Sequence, residues 1–289
     1  MTAAGTDGFA ARPQDLVVTM LGAYVHPHDR AVWSGGLVEL LAEFGFSTGA
    51  ARVALGRLVR RDLLARVREG RLVHYTVTPR TAALLDEGDR RIFSLGREPH
   101  SADLWTVLWH VIPEERRLER ARLGRRLRFL GFGSVQDGTW ISPHDREPEV
   151  VPLLDELGVA SFATVILGRP AAAGDFRAFV ARAWDLAALA ERYRAFVADF
   201  GRFGSARARA RLSDRDGFLL RTRLVHTFRQ FPFLDPELPD DVMEPHGPRS
   251  EAVALFHAVY DGLAEPAQRH FDATTSPGSA LSGPGTSER

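Results

Sequence analysis

The 289-residue chain carries 37 basic and 37 acidic residues and is 45% hydrophobic, so it can bury real cores and is not an intrinsically disordered protein. It has no cysteine, which excludes disulfides and thiolate metal sites, and no lysine, so every Lys/Arg-type cation is a planar guanidinium fork suited to phosphate or carboxylate. With no N-terminal charged-then-apolar signal and no apolar run near ~18 residues, a soluble cytoplasmic protein without a membrane partner is expected.

Residues 1–12 are expected to be disordered, and 13–100 to form a DNA-binding head and linker. Pro13 opens a helix carrying Leu16, Val17, Met20, Leu21, Ala23 and Tyr24. Trp33, Leu37, Val38, Leu40, Leu41 and Phe44 predict a second helix, with Ser34 as its cap. His26, Pro27, His28 and Asp29 lie between the two and read as loop polar groups rather than metal ligands. Gly45-Phe46 then leads straight into a third helix, with Ser47 and Thr48 at its start. At 100° per residue, Ala51, Ala54, Leu55 and Leu58 share a face fit for burial. Gly49, Arg52, Val53, Gly56 and Arg60 lie opposite, with Arg57 at the edge. Glycines permit close approach, arginine can bond a guanine edge bidentately, and valine can meet a thymine methyl. The period then falls to two: Ala65, Val67, Leu72 and Val73 alternate with Arg66, Arg68, Arg71 and His74 around a Glu69-Gly70 turn. Residues 47–80 hold eight Arg against Asp62 and Glu69, a local +6 in a neutral chain. Helix, helix, turn, arginine-faced helix and basic hairpin predict a winged helix-turn-helix, with Thr48, Gly49, Arg52, Val53, Arg57, Arg60, Arg68 and Arg71 as DNA contacts.

Pro79 begins a short helix capped by Thr78 and ending near Gly88, and 89–100 reads as a linker. Residues 101–172 are expected to form a second domain. Leu104–Ile112 predicts a strand, Glu114–Leu130 a helix, Ser134–Gln136 and Thr139–Ile141 two short strands, Val150–Leu157 a helix and Phe162–Leu167 a strand. That β-α-β-β-α-β order predicts a ferredoxin-like scaffold or dimerisation module. Residues 173–273 are expected to form a helical C-terminal domain for effector binding or dimerisation. Within it, helices lie over 176–200, Gly217–Phe231 and Glu251–Leu263. Residues 202–229 carry +6, residues 230–289 carry −7, and Thr274–Arg289 reads as a disordered tail. The fold class is therefore α+β and multidomain. No G-x-S-x-G, H-E-x-x-H or phosphate-cradling glycine loop is present, so no catalytic or metal residues, no cofactor and no enzyme are expected.

The head ARVALGRLVRRDLL…RVREGRLVHYTVTP resembles that of the PaaX-type repressors of phenylacetic acid catabolism. The middle WTVLWHVIPEERR…LRFLGFGSVQDGTWISP and the late LLRTRLVHTFRQFPFLDPELP resemble that family's later regions in the same order. The resemblance implies a dimeric transcriptional repressor released from its operator by an aryl acyl-coenzyme A, with phenylacetyl-coenzyme A first among candidates. One winged helix reads only a few base pairs, so a homodimer on an inverted-repeat operator is expected. Arg221, Arg223, His226 and Arg229 are the candidate effector-binding residues, gripping coenzyme A phosphates, with an aryl pocket lined by Trp184, Tyr193 and Phe231. A surface helix paired with the acidic 235–244 segment accounts for the same charges. Val107–Arg117 also looks like the opening of the ferredoxin-like nuclease of CRISPR adaptation, with His110 near where that nuclease has a metal-binding Asp. A metal-dependent nuclease and a ligand-independent DNA binder stand as the alternatives.

Overall fold

A computed structural model describes residues 11–28, 30–97, 104–170, 175–238 and 247–277. Pro13 occupies the first turn of α1 (Pro13–Met20), where its missing amide proton is not needed. The chain continues through one wide turn over Leu21–Val25 and one tight turn over His26–His28. Trp33 is extended, not helical: β1 (Val32–Trp33) pairs it with His74, and α2 (Ser34–Glu43) starts only afterwards. Ser34 is thus the first helical residue rather than the cap. Gly45, at φ +87°, closes α2: its N–H donates to Ala42 O at 2.9 Å and that of Phe46 to Leu41 O at 3.2 Å. This paired closure needs a left-handed residue, which glycine supplies without strain.

Ser47 caps α3 (Thr48–Arg60), its Oγ accepting from Ala50 N–H at 3.2 Å. β2 (Leu64–Glu69) and β3 (Leu72–Val77) pair antiparallel in the order β1-β3-β2. Because Glu69 pairs with Leu72, the turn is Gly70-Arg71, one residue later than expected. Gly70 has φ +61°, as a two-residue hairpin with glycine first requires. α4 (Pro79–Ser94) is capped by Thr78, whose Oγ1 accepts from Thr81 N–H at 3.2 Å. It runs past Gly88, so the expected linker begins as helix.

β4 (Trp105–His110), α5 (Arg117–Phe129), β5 (Gly133–Gln136), β6 (Thr139–Ser142), α6 (Glu147–Glu156) and β7 (Ala163–Gly168) follow, all strands antiparallel in the order β5-β6-β4-β7. Leu108 and Trp140 on one face bury against Leu123 and Leu127 of α5 and Val150 and Leu154 of α6. Trp105 and Ile141 on the other pack with Val180 of α7 (Phe176–Ala183). α6 starts at Glu147, earlier than expected, since Pro148 fits a first helical turn.

α8 (Leu186–Phe200), α9 (Ala206–Arg209), α10 (Asp214–Phe228), α11 (Phe231–Leu234), α12 (Pro248–Gly262) and α13 (Ala264–Thr275) complete the chain. α13 was not anticipated, and it takes in Thr274 and Thr275 of the expected tail; the rest of that tail from 278, like residues 1–10, lies outside the described residues. The chain divides into two compact units that cut across the consecutive segments read from the sequence. One comprises 1–91, 200–228 and 255–289, the other 92–199 and 229–254. The first has a core of α1, α2 and α3 side chains completed by Phe218 of α10 and Ala267 and Phe271 of α13. Tyr24 stacks on Phe271 at 5.1 Å. Gly36 of α2 touches α13 so closely that an added Cβ would lie 2.4 Å from Thr274 O. The result is an α+β protein with two antiparallel sheets. Among the described residues no helix is long and apolar enough to cross a membrane.

Candidate nucleic-acid interface

α3 separates its faces as its periodicity requires. Ala51, Ala54, Leu55 and Leu58 are at most 2% exposed, which turns the opposite side to solvent. Thr48, Gly49, Arg52, Val53, Arg57 and Arg60 are all exposed there, Val53 at 52%. Arg68 and Arg71, on the hairpin, are exposed as well. The eight sequence candidates therefore occupy one helix face and one hairpin within the same compact unit.

These arginines have no charge partner among the described residues, in contrast to several others of the chain. Elsewhere Arg91 reaches Glu87 at 2.6 Å, Arg146 reaches Glu149 at 3.0 Å and Arg269 reaches Asp214 at 2.8 Å. Among the described residues, Arg52, Arg57, Arg60, Arg66, Arg68 and Arg71 have no ion pair, hydrogen bond or ring contact. Unneutralised forks on one face form a local positive field, the physical requirement for a phosphate backbone.

The sequence reading missed Arg66. In the observed register Arg66 sits opposite Tyr75, and both line a cleft of about 490 Å³ with Trp33, Val38, Thr48 and Arg52. Arg66 stands two residues from Arg68 on the same strand face, so the period of two that singled out Arg68 was the signal available. His74, expected among the polar positions, is only 7% exposed.

The effector candidates have diverse surroundings. Arg221 is only 5% exposed: its guanidinium lies 3.9 Å from the Tyr260 ring centroid and 5.2 Å from that of Tyr24. Its Nε donates to Tyr260 O at 3.0 Å. His226 is 8% exposed, and its Nδ1 shares a 3.0 Å hydrogen bond with Thr19 Oγ1 of α1. Both side chains tie α10 into the interior. Arg223 and Arg229 are half-buried, and burial holds the Arg223 guanidinium below its usual pKa. The aromatic trio does not form one pocket. Tyr193 stacks on Phe231 at 4.1 Å, whereas Trp184 packs in a different cluster, against the sheet face bearing Trp105 and Ile141. Of the acidic segment, 239–244 lies outside the described residues. Asp235 is buried, accepting from Tyr193 Oη at 2.7 Å, with Arg249 Nη1 3.6 Å away. Burial, the largest cause, pushes the pKa values of Asp235 and Tyr193 upward, so Tyr193 stays protonated and donates.

His110 is 7% exposed, and its Nε2 accepts from Trp140 Nε1 at 3.4 Å. Burial lowers its pKa, which fits the neutral, accepting tautomer. His26 Nε2 meets Asp86 Oδ1 at 2.7 Å, while Asp29 lies outside the described residues. Among the described residues no group of three or more His, Asp or Glu is arranged to hold a metal ion.

Comparison with known proteins gives one consistent result. Three family models match in chain order: the PaaX-like protein over 12–81, the PaaX protein central Cas2-like domain over 98–180, and the PaaX-like protein C-terminal domain over 184–273. The transcriptional repressor PaaX of Escherichia coli (strain K12) is 26% identical over 259 residues, covering 86% of this chain and 79% of that protein. A solved structure of an uncharacterized protein from Mycobacterium tuberculosis shares the fold, with a TM-score of 0.59 at 22% identity, over 92% of this chain and 99% of that one.

Proposed function

The chain belongs to the PaaX family, and on that premise we propose that it is a sequence-specific DNA-binding repressor of an aromatic-acid, phenylacetate-type catabolic operon. The family is one of transcriptional repressors, not enzymes. The observation that carries the reading is the exposed, unpaired arginine face of α3 beside the basic β2-β3 hairpin. The finer fold reading goes with it: a winged helix-turn-helix head, supported by α2, the Gly45 turn, α3 and the three-stranded sheet, and a ferredoxin-like central domain, supported by the strand order β5-β6-β4-β7. α3 enters a major groove and the hairpin touches the flanking backbone.

The test uses a duplex selected from a random library. Arg52→Ala should weaken binding to that duplex by about 1–3 kcal/mol and leave binding to unrelated duplex nearly unchanged. Arg68→Ala should weaken both and lower the salt slope by about one unit. An unchanged ratio of specific to nonspecific affinity in Arg52→Ala would show that α3 does not read bases.

The effector belongs to the same proposal: an aryl acyl-coenzyme A thioester, phenylacetyl-coenzyme A first, binds the DNA-incompetent arrangement preferentially. A hundredfold loss of operator affinity needs a coupling of about 2.7 kcal/mol. Arg221, Arg223, His226 and Arg229 of the late LLRTRLVHTFRQ segment are the candidates for its phosphates. Thermal-shift titration with acyl-coenzyme A thioesters, free coenzyme A and free acids should single out a thioester. Arg223→Ala and Arg229→Ala should each blunt that shift; undiminished shifts in both place the ligand elsewhere. The active species is a homodimer on an inverted repeat. Support comes from Trp109 and Ile166, each 53% exposed on one sheet face, and from the edge position of β7.

A further inference from the structure

α5 carries a charge pattern that the fold does not use. It holds six arginines against one acid, Glu119, in 13 residues. Leu123 and Leu127 are fully buried and fix its inner side. Arg120 pairs with Glu114 at 2.6 Å, and Arg128 lies 5.2 Å from the Trp140 ring centroid. Arg117, Arg122, Arg125 and Arg126 are exposed and, among the described residues, have no ion pair, hydrogen bond or ring contact. By helical angle Arg122, Arg125 and Arg126 fall within about 100° of one another, away from the buried leucines. Arg122 stands three and four residues from the other two, so it is a like-charged neighbour that each of them repels. An ordinary solvated face relieves such repulsion with interleaved acids. Here the one acid of the helix, Glu119, lies 3.8 Å from the Arg116 guanidinium instead.

We propose that the outer face of α5 is a second duplex-contacting surface, which takes the phosphate backbone of DNA. This rests on the DNA-binding reading of the head. The occupant follows from the chemistry of the face. A protein partner would call for an interface core depleted in charge and rich in aromatics, and an anionic membrane for a broad apolar face. Here Leu118 and Phe129 are the exposed large apolar side chains of α5, and Phe129 stacks on Phe233 at 5.4 Å. Arginine forks without an apolar centre match a row of phosphates, which need charge and donors but no pocket.

The experiment measures the salt dependence of binding to a long mixed-sequence duplex of about six helical turns, at roughly 10 base pairs per turn. It compares the full-length chain, the triple variant Arg122→Gln/Arg125→Gln/Arg126→Gln and the matching triple Arg→Lys variant. The glutamine triple should lose about two units or more of the wild-type slope on the long duplex, at roughly 0.9 per phosphate contact. The lysine triple should keep most of the slope, since a phosphate contact needs the charge and a packing role would not be rescued. All three side chains are exposed, so both variants should melt with the wild type. A glutamine triple with the wild-type slope on the long duplex overturns the inference, including the case in which this face binds an acidic protein or a membrane. A wild type that binds no duplex at all instead removes the reading of the head, which the Arg52→Ala titration tests separately.

Discussion

Residue by residue, the sequence reveals which side of a helix a side chain takes more readily than what it meets there. The angular split of α3 holds for Ala51 and Leu58 as for Arg52 and Arg60. Helical angle gave no warning that Arg221 would lie between Tyr24 and Tyr260, because those rings come from distant segments of chain. Asp89 is a further case. Burial, the dominant cause, pushes it up to about 6, with His26 opposing and Asp86 reinforcing. A carboxyl that titrates higher in the folded chain than in the unfolded one favours folding least when ionised. The penalty is absent below the unfolded value of 3.8, grows as pH rises towards 6 and is complete above it. Asp89→Asn should therefore raise the melting temperature at about pH 7.5 and lose its advantage as the pH drops below about 4. A gain independent of pH would mean that the charge of Asp89 is not what the fold resists.

Element boundaries were legible at several cap and turn residues, though not at Ser34 or Gly88. Ser47, Thr78 and Gly45 sit where caps and closure demand. The hairpin register was not, since Glu69-Gly70 and Gly70-Arg71 both offer a glycine and only pairing across the strands decides. α13 escaped because its alternation of Ala267 and Phe271 with charged residues is short and stands beside a Ser- and Gly-rich segment. Its partner left a trace in the Gly35-Gly36 pair of α2, costly in a helix unless a backbone must approach. Gly36→Ala should gain about 1 kcal/mol of helix propensity and lose more to the 2.4 Å approach of Thr274 O, for a net fall in stability. Chemical denaturation with unchanged m-value is the measurement; a net rise would show that α13 yields freely.

For the whole molecule, the four-stranded sheet and the hairpin could be read along the chain, whereas α13 and the compact units could not. Local periodicity says nothing of Phe218 and Phe271 joining the core of the first sixty residues. The sheet face bearing Trp109 and Ile166 leads to the assembly prediction. Light scattering at micromolar concentration should give about 64 kDa, twice the 32.0 kDa of one chain. Trp109→Glu should shift it towards the monomer and weaken binding to a two-half-site duplex more than to one half-site; a monomeric wild type of undiminished affinity rules the dimer out.

The α13 contact also bears on synthesis. Chains emerge from the ribosome N-terminus first, and domains commonly fold as they appear. Here α3 is made early, yet the core beneath it gains Phe271 only after residue 271 has left the exit tunnel. Chains cut short by premature termination or proteolysis upstream of α13 therefore lack Ala267 and Phe271 of that core.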